Sequence, residues 1–395
     1  MDDLGRVAGD GGKVCQLGGG NPAWIPEVAE ELMKAVRDIA SDPALFRRFA
    51  TAYSGPEGDR STREVLAEWL SPRLSSALSW RNIALCAGTQ STLYALFNLF
   101  SQAGPGEESR VVLPMSPEYL GYVGLTPAAG LRTVRARIEE IGANRFKYRV
   151  DLGALSLDER DVALCVSRPS NPSGNVLGDA EVRALLERAS GAGIPLILDS
   201  AYGNPFPGID FTQGTPGWQP GMVLCLSLSK LGLPAVRTGI VVADEAVVDA
   251  VANVTATTAL APPSTGAVIA DRLIRSGAFE RVIAMVRPFY ERRRDLAVEW
   301  LDAAFAGLPY RLHVPEGGFF LWLWLPTLKI RSSALYEQLA QRGVVVVPGE
   351  HFFAPDEVAH WPHATQCLRI NYAQSEPDVL EGLRLIRDVA EASLG

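Results

Sequence analysis

Lysine occurs only at Lys13, Lys34, Lys147, Lys230 and Lys329, so any chemistry that needs a primary amine has few candidates. Lys230 follows an apolar run, MVLCLSLS, with Ser227 and Ser229 beside it and Arg237 in the LGLPAVR that comes next. A nucleophilic lysine needs a lowered pKa. Burial at a strand end and a neighbouring guanidinium both disfavour the ammonium form and expose the amine for attack on a carbonyl.

Asp199 ends the apolar run IPLIL, where a carboxylate is costly unless a cation pairs with it. A protonated pyridine nitrogen is such a cation. Tyr202 in DSAY and Asn171 in SRPSNPSG then stand where each can bond the phenolic oxygen of the same ring. In AGTQSTLYALFNLF, Gly88, Thr89 and Gln90 sit where a strand gives way to a helix, and free N–H groups with the helix dipole favour an anion there. Ser227, Ser229 and Arg237 can add hydroxyl and guanidinium contacts to a phosphate. Arg369, between Leu368 and Ile370 in CLRINY, has the planar fork suited to a carboxylate. Taken singly, each of these has an ordinary reading: a turn cap, a packed aromatic, a capped helix, a solvated cation or a salt bridge. Their company favours chemistry.

NPSG, DSAY, SLSK with Arg237, and CLRINY together resemble the fold type I pyridoxal-phosphate aminotransferases of class I/II. Within them the chain looks most like the valine–pyruvate subgroup, through LGGGNPAWIPE, YSGPEGDRSTRE, PEYLGY, DSAYGNPFPGI, PEGGFFLWLW, VVPGEHFF and WPHATQCLRINY. The resemblance implies an α/β fold, a large domain with a mostly parallel seven-stranded sheet over 46–290, and a smaller α+β domain from 1–45 and 291–395. It implies that Lys230 forms the internal aldimine of pyridoxal 5'-phosphate and moves the proton, while Asp199 keeps the pyridine nitrogen protonated. Tyr202 and Asn171 would tune the phenolic oxygen and Tyr119 of PEYLGY would stack on the ring. Gly88, Thr89, Gln90, Ser227, Ser229 and Arg237 would hold the phosphate. Arg369, with Asn171 and Gly20, would receive the substrate. Tyr53 would reach the phosphate of a second subunit, so a homodimer with shared sites is expected. The short LGLPAVR loop departs from many class I members and resembles the subgroup.

The elements that must position these residues are legible as alternation of apolar, β-branched runs with amphipathic stretches from about 81 to 245. That pattern specifies a largely parallel sheet with covering helices. Ligands bind at the carboxyl ends of such strands, where the motifs lie. The segment 308–395 reads as strand, helix, strand, loop, strand and helix.

At 395 residues and 47% hydrophobic, the chain can bury a large core in two lobes. A net charge of -8, with no basic stripe, argues against a nucleic-acid partner. The five cysteines are odd in number, scattered and set in apolar runs, so they read as reduced core residues. The start, MDDLGRVAGDGGKV, has no secretory pattern and no run approaches the roughly 18 apolar residues of a membrane span, so a cytoplasmic protein is expected. His351, His360 and His363 lack the spacing and company of a metal site. Arg168 reads equally as a substrate contact or a buried structural partner. Trp24, Phe206, Trp322 and Trp324 read either as an apolar substrate pocket or as core.

The leading reading is amino transfer between an α-amino acid of alanine or valine type and a 2-oxo acid. The same residues also serve β- or γ-elimination, replacement, condensation or oxidation in a biosynthetic enzyme, since fold and cofactor do not fix reaction type. A non-catalytic regulator on this fold is the remaining alternative, disfavoured by the complete set of reactive residues.

Overall fold

The computed structural model describes residues 14–104, 109–125, 130–214 and 217–395. Lys13 and most of the N-terminal stretch read above for targeting lie outside them. The chain runs through α1 (Pro26–Ser41), α2 (Arg60–Leu70), β1 (Ile83–Cys86), α3 (Thr89–Ala103), β2 (Arg110–Ser116), β3 (Gly130–Arg135), β4 (Arg137–Ile141) and β5 (Arg145–Arg149). It continues with β6 (Asp161–Ser167), α4 (Asp179–Gly191), β7 (Leu196–Asp199), β8 (Met222–Ser227), β9 (Gly239–Val242), α5 (Glu245–Ala259), α6 (Ser264–Arg275) and α7 (Ala278–Ala304). The last part holds β10 (Arg311–His313), β11 (Phe320–Trp324), α8 (Ser332–Gln341), β12 (Cys367–Asn371) and α9 (Glu376–Glu391).

Seven strands form the first sheet in the order β1-β9-β8-β7-β6-β2-β3. All neighbours are parallel except β9, which runs antiparallel to both β1 and β8. The expected mostly parallel sheet is present. Its central strands are buried on both faces, which is why they read as continuous apolar runs. Alternation still sorts the side chains: Leu164, Val166, Leu224 and Leu226 pack into one core, while Cys165, Val223 and Cys225 pack into another under α3 and α5. All five cysteines are buried and none is in a disulfide among the described residues.

A second, six-stranded sheet has the order Val347–Pro348, β12, β11, β10, β5, β4. The two strands at one edge, β5 and β4, come from the first half of the chain, and β5 pairs in parallel with β10 through Leu312↔Arg145 and His313↔Phe146. We propose the two-lobe division at 46–290, against 1–45 with 291–395, with this hairpin lent to the second sheet. Among the described residues no helix is long and apolar enough to cross a membrane.

Candidate active site

Register aligns the chemistry. Ser167 at the end of β6 stands beside Asp199 at the end of β7, and Gly239 at the start of β9 faces both Ser227, ending β8, and Cys86, ending β1. The loops that leave these ends therefore emerge along one edge of the sheet.

The loop after β1 turns into α3 through Gly88, whose φ of 92° an L side chain rarely adopts. Gly88 is the N-cap and no side chain caps the helix, so the first-turn N–H groups are free of side-chain acceptors. A Cβ on Gly88 would overlap Nη2 of Arg237, and one on Gly239 would press on Gly88 and Thr89 N at 3.0 Å. Small residues at both positions let the helix start and the guanidinium share one place. Arg237 donates to Ser229 Oγ at 3.4 Å and to the Pro234 carbonyl at 3.1 Å, and it makes no ion pair with any described carboxylate. Thr89 reaches the Leu226 carbonyl at 3.5 Å, Gln90 donates to the Gly121 carbonyl at 2.7 Å, and Ser227 Oγ accepts from Ser229 N at 3.1 Å. Gly88, Thr89, Ser227, Ser229 and Arg237 thus form one cationic cradle with Gln90 at its rim.

Lys230 lies in a short turn directly after β8, and its Nζ donates to the Gly20 carbonyl at 2.6 Å. The amine sits 5.4 Å from the Tyr202 ring centroid and 5.5 Å from that of Phe319. Burial, with help from the Arg369 and Arg237 charges, lowers its pKa to about 8, although Asp199 pulls the other way. Asp199 is buried and has no ion-pair partner among the described residues; it accepts from Tyr122 OH at 3.0 Å and Ala201 N at 3.2 Å. Burial pushes its carboxyl up to about 6.

Arg369 is the opposite case, a buried cation without a described carboxylate. It donates to Asn171 Oδ1 at 2.8 Å and to the Gly18 carbonyl at 2.6 Å, lies over the Phe320 ring at 4.3 Å, and keeps Nε without a partner. Burial lowers its pKa to about 10, which leaves it protonated at neutral pH. Asn371 Nδ2 donates to the Gly19 carbonyl at 2.6 Å. Gly18, Gly19 and Gly20 therefore form a strap whose successive carbonyls are held by Arg369, Asn371 and Lys230. Gly20 has a conventional φ and open space at its Cβ position apart from Lys230 Nζ at 4.0 Å, so what it supplies is a carbonyl close to the amine.

Tyr119 packs edge-on to Tyr122 at 5.4 Å and feels the charges of Asp199, Arg369 and Arg237, which places it among them. Tyr53 is 87% exposed and no described residue bonds to it. Arg168 resolves as structural: it donates to the Leu177 carbonyl at 2.7 Å and pairs with Asp210 and Asp179. Of the four aromatic candidates, Phe206 and Trp322 are core and Trp324 packs against it, because β11 buries both its faces. Trp24, 76% exposed, lines an apolar cavity of about 780 Å³ that includes Lys230, Ile25, Leu231 and Tyr290. Tyr122, Glu118 and Asn371 join the site without a signal of their own in the sequence. Only their position inside or beside recognised motifs could have pointed to them.

A buried anion lacking a cation, an open helix N-terminus beside an unpaired guanidinium, and an amine of lowered pKa fit a cationic ring, a phosphate arm and a carbonyl. Those are the parts of pyridoxal phosphate. Gly88→Ala tests the cradle. Strain of about 1–3 kcal/mol and displacement of Arg237 should weaken cofactor binding about tenfold or more, read by fluorescence titration of the apoprotein.

Comparison with known proteins gives a consistent result. The family model for aminotransferase class I and II matches residues 14–384. Valine–pyruvate aminotransferase of Escherichia coli (strain K12) is 37% identical over 398 residues, covering 99% of this chain and 94% of that protein. Among solved structures, a putative amino-acid aminotransferase from Psychrobacter arcticum 273-4 aligns with TM-score 0.93 at 37% identity, covering 100% of this chain and 94% of the other. The valine–pyruvate aminotransferase of Salmonella typhimurium LT2 aligns with TM-score 0.89 at 36% identity, covering 100% and 98%.

Proposed function

The chain belongs to the class I and II aminotransferases, and from that premise we propose how its own residues carry out the transfer and on which substrates. It is a pyridoxal-phosphate enzyme that moves an amino group between an α-amino acid and a 2-oxo acid. The observation that carries the assignment of roles is the pair of opposite buried charges, Asp199 and Arg369, each without an ionic partner among the described residues and each acting on Lys230.

When bound, the cofactor supplies a carbonyl for amine capture and a ring that takes up the electrons of a broken C–H bond. Gly88, Thr89, Gln90, Ser227, Ser229 and Arg237 bind its phosphate. Asp199, as an anion, would pair with the ring nitrogen and keep it protonated. Tyr202 and Asn171 would bond the phenolic oxygen, and Tyr119 would pack on the ring. Arg369 holds the substrate carboxylate with two parallel N–H groups, and Asn171, already its partner, orients it. Lys230 Nζ would act as the base that takes the proton from the substrate α-carbon and as the acid that gives it back. The Gly20 carbonyl keeps that Nζ directed toward the strap.

The substrate couple proposed is alanine and pyruvate on one side and an aliphatic amino acid such as valine with its 2-oxo acid on the other. The valine–pyruvate relatives and the apolar lining beside Lys230 support it. Mixing holoenzyme with one equivalent of alanine, valine, leucine or aspartate, and measuring 2-oxo acid released in a single turnover, tests it. Release from the first two but not from aspartate is expected. No release from either alanine or valine would overturn the substrate proposal.

Arg369→Gln should raise the KM of both amino and 2-oxo substrates about 10²- to 10³-fold, the loss of two charge-assisted hydrogen bonds, with a smaller change in kcat. Steady-state kinetics on both half-reactions checks this. We also propose a homodimer in which Tyr53 reaches the partner subunit's phosphate cradle. The exposure of Tyr53 together with Phe46, Met33 and Trp24 in the first part of the chain supports a covering partner.

A further inference from the structure

Tyr122 has no role in the assignments above, yet its hydroxyl is the only described side chain that hydrogen-bonds Asp199. It is fully buried at the turn that also carries Tyr119. Its ring packs against Phe97 at 5.9 Å and Tyr119 at 5.4 Å, so the hydroxyl is aimed by two ring contacts before it bonds. We propose that Tyr122 is a positioning residue for the reaction: its O–H fixes the Asp199 carboxylate in place and holds it in the ionised form that faces the cofactor's ring nitrogen. This rests on the aminotransferase reading of Asp199.

The physical case has three steps. Burial with the neighbouring charges holds the Tyr122 phenol well above its usual pKa, so at neutral pH it keeps its proton and donates. A donor to a carboxylate favours the ionised form, and the effect is larger in a dry site. Asp199 needs that help, because burial opposes its charge and the groups around it are mostly of the wrong kind. Glu118 and Tyr119 lie on the same turn as Tyr122, Cys165 on β6, Cys225 on β8 and Tyr202 after β7, and none of them brings a cation. Lys230 alone contributes positive charge from the facing side, and it is the group that reacts. Without Tyr122, the Ala201 N–H would be the only hydrogen bond left on the carboxylate among the described residues. Glu118, a buried carboxyl near it, is occupied by Ser167 N, Ser167 Oγ and Tyr119 N, and does not touch Asp199 by a hydrogen bond.

The test is Tyr122→Phe, which keeps both ring contacts and removes one oxygen. Infrared titration of the apoprotein, with Asp199→Asn subtracted to isolate the Asp199 band from that of Glu118, reads the carboxyl without any catalysis. The midpoint, about 6 in the parent chain, should rise by about one unit or more in the variant. In the holoenzyme, kcat should fall about tenfold with KM for the amino donor unchanged. Adding Tyr122→Phe to Asp199→Asn should then cost almost nothing further, the signature of a residue that acts through another. An unmoved midpoint, or losses in the double variant that multiply independently, overturns the proposal. A shifted midpoint in a protein that transfers no amino group would leave the positioning intact and refute the aminotransferase reading of Asp199.

Discussion

Lys230→Ala lowers kcat for amino transfer by at least about 10⁴-fold, while the variant folds and still binds cofactor in the cradle. The magnitude follows from the loss of a positioned acid and base, ordinarily 10²- to 10⁴-fold, together with the loss of covalent capture. Among the described residues no other lysine can substitute. Lys147 is buried against Glu316, Lys34 is exposed on α1, and Lys329 lies beside Gly395. Two measurements separate this outcome from a folding defect. Borohydride reduction of the parent holoenzyme should place the cofactor mass on the peptide containing Lys230, and the variant should carry none. In the parent apoprotein, the rate of cofactor capture should rise with pH and level off above about 8, the value to which burial lowers this amine. An ordinary lysine would keep gaining reactivity until roughly pH 10.4. The sign follows from the reactive species: the neutral amine is the nucleophile, and a depressed pKa makes about a tenth of it available at pH 7. A capture rate still rising steeply at pH 10 would refute the role given to burial and the two arginines.

Asp199→Asn should lower kcat about 10³-fold, with KM for the amino donor little changed. Asparagine has nearly the same shape, so packing against Tyr122 and the Ala201 N–H is kept and only the charge goes. A buried ion pair broken from one side costs about 3–5 kcal/mol, which spans roughly 10²- to 10⁴-fold in rate. The loss falls on the step that develops negative charge on the ring, hence on kcat. Apoprotein stability should move the other way. Asp199's folded pKa, about 6, lies above the ordinary carboxylate value, so the buried charge costs stability above pH 4 and increasingly so through pH 6. Removing it should raise the apoprotein Tm at pH 8 by more than at pH 5. Thermal unfolding at the two pH values, beside steady-state kinetics, checks both halves; an equal Tm gain at both values would refute the assigned ionisation.

The parts of this molecule that the sequence makes legible are those where local chemistry is costly. A carboxylate after IPLIL and a guanidinium between Leu368 and Ile370 have to be explained at once, because each is a charge in an apolar strand. The end of β7 carries Asp199 to the edge of the first sheet, whereas Arg369 lies within β12 of the second. Tyr122, Glu118 and Asn371 escape because nothing about them is costly in isolation. Their partners, Asp199, Ser167 and Gly19, come from other parts of the chain. The hairpin β4–β5 escapes likewise. Its residues RIEEI and RFKYR are rich in charge, and only pairing with the distant β10 assigns them to the second sheet. In FFLWLWL, alternation sorts the two faces of a strand but does not say that both are covered.

The glycine strap sets an order of events in time. Its three hydrogen bonds join positions 351, 352 and 210 residues apart. A nascent chain makes the strap before Lys230, and Lys230 before Arg369 and Asn371. Until those two are made, the Gly18 and Gly19 carbonyls have no anchor. Contacts of such separation are the slow ones in folding. The substrate end is therefore finished after the cradle, and cofactor captured during synthesis would meet a cradle able to grip phosphate before the substrate end exists.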